Sequence, residues 1–489
     1  MSRLSSNLLI ALLASPALAQ PSAEALALQK SMHKIIDNAE PSIACVLVSR
    51  SSGYVDLGEG PSAASQGKLG GFNPRRYTNW GDGPRRELVK KLDLANPETV
   101  PESYGSGVVI DAGGLVLTNY HVIEKAQKIY VRLPGANRGS YADILAADAR
   151  SDLAVLKMLS PPGDLKAVKF GDGAKVRKGD WIVVLANPFA AGFRDGSASA
   201  SWGIVSNVRR RAPGSPDETK RAKPLAQYAT LIQTDARLNL GSSGGALLNL
   251  DGEMVGLTSS IAAVTGSETS GGYAIPIDTN VRRMIDVLKR GEEIEYGFLG
   301  VTVNPENRTP GRVVVADVAA GLPAARAGMV GGDQIVSING VPVREQEDLF
   351  LNISAALAGT ETTIEVMRGG RQLTFKVRLA KSTHPEPVIA SSRPPAVFGL
   401  RIDYSSTLST DTNPPEGVLI RELDSGTAAA KQLKEWADRS KLIIVAVDGK
   451  PVPTPADFYR EITGKSSIAL DIVEAVRDAS TTRKRITLP

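Results

Sequence analysis

Short apolar runs separated by turn sequences follow one another from Gly105 to Ile277. They include SGVVID, GLVLTN, DLAVLKM, DWIVVLANP, WGIVSNV, EMVGLTSS and GGYAIPI, and the intervening DAGG and NLDGE are typical of hairpin turns. Runs of this length, bounded by Gly, Asp and Asn, predict β-strands. Because no helical pattern alternates with them, we expect a β-barrel or a β-sandwich.

One helix is predicted to close this β region. Asp278 is suited to cap its N-terminus, and Gly291 stands at its C-terminal end. The apolar residues between them fall at helical spacing on one face: Val281, Met284, Ile285 and Leu288. We therefore predict a β domain with bounds of 41–292.

A Gly-, Pro- and Ser-rich segment interrupts the β domain near its start. Residues 51–104 include GEGPSAASQGKLGGFNPRRYTNWGDGP, a composition typical of exposed loops. Loops longer than about 15 residues are uncommon inside compact domains. We predict a long loop insertion over 51–104.

The C-terminal part of the chain contains an internal repeat. IVSINGVPVREQEDLF (335–350) aligns with IVAVDGKPVPTPADFY (444–459) at a constant offset of 109 residues. The repeat predicts two related modules, 293–381 and 396–489, of which the second is the more divergent. The proline-containing segment 382–395 between them suits an extended linker.

The N-terminus has the pattern of an export signal. Arg3 precedes a short apolar core at Leu8 to Leu13, and Ala17-Leu18-Ala19 is typical of a cleavage site. We predict a signal peptide over 1–19 and an exported protein of the periplasm, cell envelope or extracellular space. The apolar core is far shorter than the roughly 20 residues of a membrane span, and no transmembrane segment is predicted.

Residues 20–40 follow the signal as an N-terminal helix or arm. Leu28, Met32, Ile35 and Ile36 fall on one helical face, and Pro41 ends the pattern. This face predicts either docking onto the β domain or a role in assembly.

Several classes of function are disfavoured by composition. The net charge of +5 comes with isolated basic triplets that are typical of solvated surfaces, so no nucleic-acid partner is predicted. The single cysteine, Cys45, lies in an apolar strand-like run and predicts a buried small side chain. With one Cys and three scattered His residues, we predict no metal site and no cofactor.

The sequence LNLGSSGGALLN places two adjacent serines between glycines. A serine nucleophile needs a general base, normally a histidine that a carboxylate orients. His33 lies in the N-terminal segment and His384 in the linker, which leaves His121 as the base for Ser242 or Ser243. In the competing interpretation, His121 is a structural histidine and the sequence around Ser242 and Ser243 is only a glycine-rich turn.

Two further features favour the catalytic interpretation. Asp152 precedes an apolar run and is suited to orient His121. Gly241 permits a sharp turn, so that the N–H groups of Gly241 and Ser243 can form an oxyanion hole. The order His121, Asp152, serine within one β domain is more specific than any member alone.

These motifs resemble the HtrA (Deg) family of serine proteases. The resemblance rests on TNYHVI, SDLAVLK and GSSGGALLN, with GDWIVVLANPF, GIVSNV and GYAIPID in the same order, and covers about residues 41–489. It implies a mainly β fold, with a chymotrypsin-like (trypsin-like) double β-barrel followed by two PDZ domains of α+β type. The family pattern places the nucleophile at Ser243 and leaves Ser242, usually Asn, as support for the loop.

The resemblance also implies binding sites. Arg237, where the family commonly has Ala, and Leu238 are expected to shape the primary substrate pocket, with small or medium apolar residues preferred before the cleaved bond. YGFLGV resembles a carboxylate-binding loop of a PDZ domain, with Tyr296, Gly297, Phe298, Leu299 and Gly300 as its residues. FGLRI at 398–402 is its weaker counterpart in the second module.

The implied function is an ATP-independent endopeptidase that degrades misfolded or unfolded proteins and binds peptide C-termini. The alternative is a latent or weakly active protease that acts as a PDZ-containing chaperone or scaffold. The departures at Arg237 and Ser242 favour that alternative, because family members often keep the catalytic loop disordered until a contact orders it. The family also implies a homotrimer or a higher oligomer that assembles through N-terminal segments.

Overall fold

The computed structural model describes residues 22–56, 83–135, 137–210, 230–259, 272–303, 312–383, 388–408, 415–474 and 483–489. The predicted signal peptide over 1–19 and His384 lie outside these ranges. Among the described helices, none combines the length and the hydropathy that a membrane span requires.

Most of the helices in the described ranges are short. The described helices are α1 (Ala23–Ala39), α2 (Gly53–Asp56), α3 (Gly83–Leu92), α4 (Tyr120–Ile123), α5 (Thr279–Lys289), α6 (Pro323–Arg326), α7 (Gln346–Ala355), α8 (Ala428–Ala437) and α9 (Pro455–Ile462).

Twelve antiparallel strands build two barrels in the predicted β region. The first barrel contains β1 (Ile43–Ser49), β2 (Ser103–Asp111), β3 (Leu115–Thr118), β4 (Lys128–Arg132), β5 (Gly139–Asp148) and β6 (Leu153–Met158). The second contains β7 (Trp181–Ala186), β8 (Ser199–Arg210), β9 (Leu231–Thr234), β10 (Ala246–Leu248), β11 (Met254–Ser259) and β12 (Gly272–Pro276). Pairing of β5 with β6 closes the first barrel, and the second is closed in the order β10-β11-β12-β9-β8-β7.

The two barrels share one apolar core, which fixes their relative position. Val108 and Leu153 of the first barrel pack in the same buried cluster as Leu185 and Leu257 of the second. Burial of such side chains stabilises a fold by roughly 1.5–3 kcal/mol each. The predicted double β-barrel is confirmed, and loops from both barrels meet where the barrels touch.

Two helices pack against this shared core. α5 begins at Asp278, whose carboxylate accepts the N–H of Val281, and Met284 is among its buried residues, so the predicted closing helix is confirmed. In α1, Ile35 is buried and Met32 and Ile36 pack against the core. Leu28, on the same helical face, is exposed, so docking onto the barrels involves only the C-terminal half of the helix.

The expectation of a loop throughout 51–104 is wrong in part. The helices α2 and α3 lie in this segment, and residues 57–82 are outside the described ranges. Tyr54, Val89 and Leu94 are buried in a small cluster with Cys45. The apolar residues of RRELVKKLDL have helical spacing, and this local pattern was obscured by the Gly- and Pro-rich composition around it.

Cys45 lies in β1 and is fully buried, as predicted. Burial raises the pKa of its thiol to about 12, with Arg132 opposing the shift. The thiol is therefore protonated at neutral pH, and the residue serves as a packing group.

Two modules of the same topology follow the barrels. The first contains β13 (Gly297–Phe298), β14 (Val301–Val303), β15 (Val313–Val318), β16 (Gln334–Ile338), β17 (Val341–Pro342), β18 (Glu361–Arg368), β19 (Arg371–Arg378) and β20 (Ala380–Lys381). Its main sheet has the order β14-β15-β16-β18-β19, with β17 paired to β16.

The second module repeats this order. After β21 (Ile389–Ala390), its strands are β22 (Leu400–Tyr404), β23 (Val418–Leu423), β24 (Leu442–Val447), β25 (Lys450–Pro451), β26 (Ile468–Glu474) and β27 (Arg483–Leu488), in the order β22-β23-β24-β26-β27. The hairpin pairs Ser337 with Pro342 in the first module and Ala446 with Pro451 in the second. The repeat at an offset of 109 residues therefore corresponds to a repeated fold.

The segment between the modules is more structured than predicted. Part of 382–395 forms β21, which pairs with β5 of the first barrel through Ile389 with Ala147 and Ala390 with Ala146. These residues are extended, but they pair with a barrel strand as well as connecting the modules. Their extended conformation was foreseeable, but their distant partner strand was not.

Candidate active site

His121 and Asp152 form a close pair at one edge of the first barrel. His121 lies in α4, directly after β3, and Asp152 lies in the turn between β5 and β6. The two carboxylate oxygens of Asp152 lie 2.8 and 3.0 Å from His121 Nδ1, and one of them also accepts the N–H of His121 at 3.0 Å. Both the ring and the backbone of His121 are thus held by one carboxylate.

Asp152 has a left-handed backbone conformation, with φ at 56°. Its carbonyl oxygen accepts Asn119 Nδ2 at 3.0 Å and the N–H of Tyr120 at 3.2 Å. This conformation is uncommon for residues other than Gly, although Asn and Asp adopt it more often than most, and such positions cluster in active sites.

The environment of His121 favours the imidazolium. Burial disfavours the charged ring, but the charge and hydrogen bond of Asp152, together with the charge of Glu124, outweigh burial and raise the pKa of His121. A pair of this kind both orients the ring and stabilises the positive charge that the ring acquires when it takes up a proton.

Ser243 lies where the second barrel meets α4. Gly105 of β2 separates the two, since a Cβ atom on Gly105 would lie 2.6 Å from Val122 Cγ1 and 3.3 Å from the carbonyl oxygen of Ser243. A glycine is required at this point because the helix that carries His121 and the main chain of Ser243 approach the same backbone position.

Ser106 connects the serine-containing loop to the first barrel. Its N–H donates to the carbonyl oxygen of Ser243 at 2.8 Å, and its hydroxyl donates to the carbonyl oxygen of Gly241 at 2.8 Å. The same hydroxyl accepts the N–H of Asn187 at 2.7 Å, and the carbonyl oxygen of Ser106 accepts the Thr118 hydroxyl. Ser106 is fully buried, so these bonds are shielded from competition with water.

Thr258 of β11 holds the same loop from the second barrel. Its hydroxyl donates to the carbonyl oxygen of Ser242 at 2.6 Å, its carbonyl accepts the N–H of Gly244 at 2.8 Å, and its N–H donates to the carbonyl of Gly245 at 2.9 Å. Ser242 also accepts the N–H of Asn239 on its side chain at 3.2 Å. The loop is therefore anchored on both sides of Ser243.

The anchored carbonyl groups set the direction of the neighbouring N–H groups. Because the peptide unit is planar and trans, its C=O and N–H point in opposite directions. The carbonyl of Leu240 accepts the N–H of Phe189 at 2.7 Å, which directs the N–H of Gly241 away from Phe189. The bond from Thr258 to the carbonyl of Ser242 likewise directs the N–H of Ser243 away from Thr258.

Arg237 and Leu238 lie before the serine loop with different environments. The Arg237 side chain is exposed, and its carbonyl oxygen accepts the Ser201 hydroxyl at 3.2 Å. The Leu238 side chain is half-buried against the second barrel, where a Cβ atom on Gly272 would lie 2.1 Å from Leu238 Cδ1. Residues 260–271, which follow β11, are outside the described ranges.

The residues of the expected carboxylate-binding loop have different environments. Tyr296 is buried in the core shared by the barrels, and its hydroxyl donates to Asp148. Gly297 and Phe298 pair with β20. Leu299 is buried in the core of the first module, and Gly300 has φ at 81° directly before β14. The Tyr296 side chain therefore joins the module to the barrels, while 298–300 lead into the edge strand β14.

Sequence reasoning missed Gly105, Ser106 and Thr258. A signal was present in the first two, because YGSGVVI places two small residues and a hydroxyl at the start of an apolar strand. A buried polar side chain in such a strand needs a hydrogen-bond partner, which was here the distant serine loop. Thr258 carried no comparable signal.

Within the described ranges, no group of three or more His, Cys, Asp and Glu side chains is placed to hold a metal ion. The arrangement of His121, Asp152 and the anchored loop is of the type that takes up a proton from a serine hydroxyl. This chemistry uses side-chain and backbone groups of the chain itself.

Comparison with known proteins gives two domain matches. The sequence model of a trypsin-like peptidase domain matches residues 105–257, and that of a PDZ domain matches residues 297–379. The first range includes His121, Asp152 and Ser243, and the second includes the expected carboxylate-binding loop from Gly297 onward.

Curated relatives match over most of the chain. The periplasmic pH-dependent serine endoprotease DegQ of Escherichia coli (strain K12) is 33% identical over 396 residues, which cover 78% of this chain and 80% of DegQ. A probable periplasmic serine endoprotease, DegP-like, of Pseudomonas fulva (strain 12-X) is 35% identical over 347 residues, 67% of this chain and 68% of the relative. Among solved structures, the HtrA-type protease AlgW with tripeptide aligns over 72% of this chain and 98% of AlgW, with 24% identity and a TM-score of 0.49.

Proposed function

The chain belongs to the HtrA (Deg) family of periplasmic serine endoproteases, and we propose that it cleaves unfolded protein segments with Ser243 as nucleophile, His121 as general base and Asp152 as the orienting carboxylate. The single observation that carries the proposal is the His121–Asp152 pair beside the anchored loop of Ser243. This arrangement is that of a serine endopeptidase. The protein is periplasmic, as are the curated relatives.

In the proposed mechanism, the Ser243 hydroxyl attacks the carbonyl carbon of the scissile peptide bond. His121 takes up the hydroxyl proton on Nε2 and then donates it to the leaving amine. Asp152 keeps the other proton of the ring on Nδ1, which leaves Nε2 free to act as a base. The raised pKa of His121 supports this role, because it reflects stabilisation of the imidazolium that forms during attack.

The N–H groups of Gly241 and Ser243 are proposed to stabilise the tetrahedral oxyanion. Support comes from the carbonyl anchors at Phe189 and Thr258, which orient these two N–H groups before substrate binds. In the described part of the chain no acceptor binds the N–H of Gly241, so this donor is available to substrate. Loss of one such donor costs about 3 kcal/mol of transition-state stabilisation.

The substrate pocket is proposed to include Leu238, whose half-buried side chain supports an apolar preference before the cleaved bond. Arg237 is exposed, so its side chain is placed to contact substrate residues farther from the scissile bond. Substitution of Arg237 by Ala is expected to change the preference at those residues in a cleavage-site profile.

The first C-terminal module is proposed to bind peptide C-termini along β14. An extended peptide adds to an exposed strand, and backbone N–H groups of the preceding loop capture the terminal carboxylate. Phe298, Leu299 and Gly300 form that loop in the proposal, with Tyr296 acting as an attachment to the barrels. The second module shares the topology and is proposed as a divergent PDZ domain.

Assembly into a homotrimer or a higher oligomer is proposed through the N-terminal half of α1. Leu26 and Leu28 are exposed there, which supports a contact with another copy. Sedimentation of the mature protein is expected to give a species at least three times the chain mass, and a clean monomer would contradict this assignment.

The test of the proposed function is cleavage of unfolded casein by the wild type and by Ser243→Ala. The wild type should produce fragments, and the variant should lose this activity while it keeps its circular dichroism spectrum. Cleavage by the variant at the wild-type rate would refute the assignment. A role as chaperone alone is not favoured by the family match or by the preformed His121–Asp152 pair.

A further inference from the structure

The segment between the two C-terminal modules returns to the first barrel. Ile389 and Ala390 pair with Ala147 and Ala146 of β5, and the N–H of Ser391 donates to the carbonyl oxygen of Leu145 at 3.0 Å. The Ala390 side chain is buried, and Ile389 packs against the core of the first barrel. The contact therefore combines a backbone ladder with apolar packing.

β21 covers a part of β5 that β4 does not cover. The pairing of β4 with β5 ends at Ala142, whereas β6 pairs with β5 as far as Asp148. On the outer edge, the residues Leu145 to Ala147 have β21 as their neighbour. Without it, this end of β5 would present backbone groups to solvent and would be held on one side only.

This end of β5 leads directly into the turn that carries Asp152. Asp148 accepts the N–H and the hydroxyl of Ser151, each at 2.6 Å, and so shapes the turn. Asp148 also pairs with Leu153 at the start of β6. The position of the Asp152 backbone is therefore set by where β5 ends.

The residues that directly follow β21 are hydrogen-bonded to the end of the barrel domain. The N–H of Ser392 donates to the carbonyl oxygen of Gly291 at 2.8 Å, and a Cβ atom on Gly291 would lie 2.5 Å from Ser391 Oγ.

The first module contacts the turn that leads to Asp152. Arg150 of this turn lies over the Tyr296 ring and donates to the Ser354 hydroxyl at 2.8 Å. The turn before Asp152 is thus enclosed by elements from the C-terminal half of the chain.

We infer that β21 is a positioning strand for Asp152: by completing the edge of β5 it holds the Asp152 carboxylate against His121. The inference rests on the proposed role of Asp152. It makes the rate of the chemical step depend on the segment between the modules, separately from any peptide bound to them.

Ser391→Pro tests this inference in the full chain. Proline removes the N–H that donates to Leu145, and it favours an extended conformation for the preceding residue, which Ala390 already has in β21. Ser391→Ala keeps the N–H and is the matched control. We expect Ser391→Pro to lower kcat about 10-fold with little change in KM, and Ser391→Ala to match the wild type.

The pH profile separates positioning from general damage. The groups that face His121 and raise its pKa are Asp152 and Glu124. If Asp152 moves away, the pKa of His121 falls, and the acid limb of kcat/KM shifts to lower pH. We expect this shift in Ser391→Pro and a smaller one in Ile389→Gly, which weakens the strand without removing an N–H.

The outcomes are distinct. An unchanged kcat and acid limb in both Ser391→Pro and Ile389→Gly would overturn the inference, as would loss of activity with an unmoved acid limb or unfolding of both variants at the assay temperature. A wild type that neither cleaves casein nor reacts with a serine-directed phosphonate would refute the proposed function instead.

Discussion

At the scale of single residues, Asp152 is constrained through both its side chain and its backbone. Its carboxylate binds His121 at both Nδ1 and the backbone N–H, and its own backbone is left-handed. Neutral Asn is close in shape but offers one acceptor oxygen and no charge. Asp152→Asn therefore removes the negative charge and one acceptor oxygen from His121 with little change in shape.

Asp152→Asn is expected to lower kcat by about 10⁴-fold, because the imidazolium loses its counter-charge and the ring its correct tautomer. As the proposed base, His121 can act only when neutral, so kcat/KM of the wild type is expected to fall as the pH decreases through the raised pKa of His121. Removal of the carboxylate lowers this pKa, and the remaining activity should therefore persist to lower pH. A pH profile of kcat/KM measures both effects.

Glu124→Gln is the matched control for Asp152→Asn. Glu124 raises the pKa of His121 through its charge, so this variant should shift the acid limb slightly and leave kcat at its plateau unchanged. An acid limb in Asp152→Asn at the wild-type pH would contradict the account.

At the scale of elements, β2 joins the two halves of the site. Gly105 touches α4, and the next residue, Ser106, binds the loop of Ser243. A single strand therefore sets the distance between the proposed base and the proposed nucleophile, although it contributes neither of them.

Gly105→Ala is expected to reduce kcat/KM by about 10²-fold, because a misplacement on the order of 1 Å has an effect of that size. The new Cβ would lie 2.6 Å from Val122, so α4 or the serine loop must shift. Gly163→Ala is the control, since no atom lies within 4 Å of its Cβ position. Equal activity of the two variants, measured with a chromogenic peptide, would refute the role assigned to Gly105.

Strands and helices could be predicted from the sequence where the pattern that specifies them lies within a few residues. The barrel strands and α5 were predicted because alternation, turns and caps are encoded within a few residues, as with Asp278 and Val281. The helix α3 was hidden by the composition around it, and β21 is too short to be recognised without its partner at Ala146 and Ala147. His121 and Asp152 were identifiable as candidates because the β region holds no other histidine.

At the scale of the whole molecule, buried charges join the two C-terminal modules. Lys381 of β20 is almost fully buried, and its ammonium lies 2.9 Å from Glu293, 3.2 Å from Glu295 and 3.3 Å from Asp403 of the second module. Arg421 also pairs with Asp403, and Arg378 of the first module pairs with Asp457 of the second at 3.2 Å. Removal of the Lys381 ammonium would leave Glu293 and Glu295 without this counter-charge.

Glu295→Gln is expected to raise the thermal midpoint at neutral pH. Burial, opposed by Lys381 and reinforced by Asp403 and Glu293, raises the pKa of Glu295. A carboxyl group with a raised folded-state pKa contributes stability that is present below its ordinary pKa and is lost as the pH increases through the folded value. The gain of the variant should therefore shrink as the pH is lowered through that range.

Lys381 retains Glu293 and Asp403 in Glu295→Gln, so the junction keeps its remaining ion pairs. Glu361→Gln is the control, because Glu361 forms an exposed pair with Lys376 and such pairs contribute little stability. A thermal midpoint of Glu295→Gln below that of the wild type at pH 7 would contradict the balance of charges described here.

Activation of Ser243 by His121 is the core of the proposed mechanism, and covalent labelling of the serine is its sharpest test. The mature protein is treated with a serine-directed phosphonate, and fragmentation of the peptide that contains LNLGSSGGALLN locates the adduct. We expect a single adduct on Ser243, no adduct in Ser243→Ala and labelling retained in Ser242→Ala. An adduct on Ser242, or no adduct on a wild-type protein that cleaves casein, would contradict this mechanism.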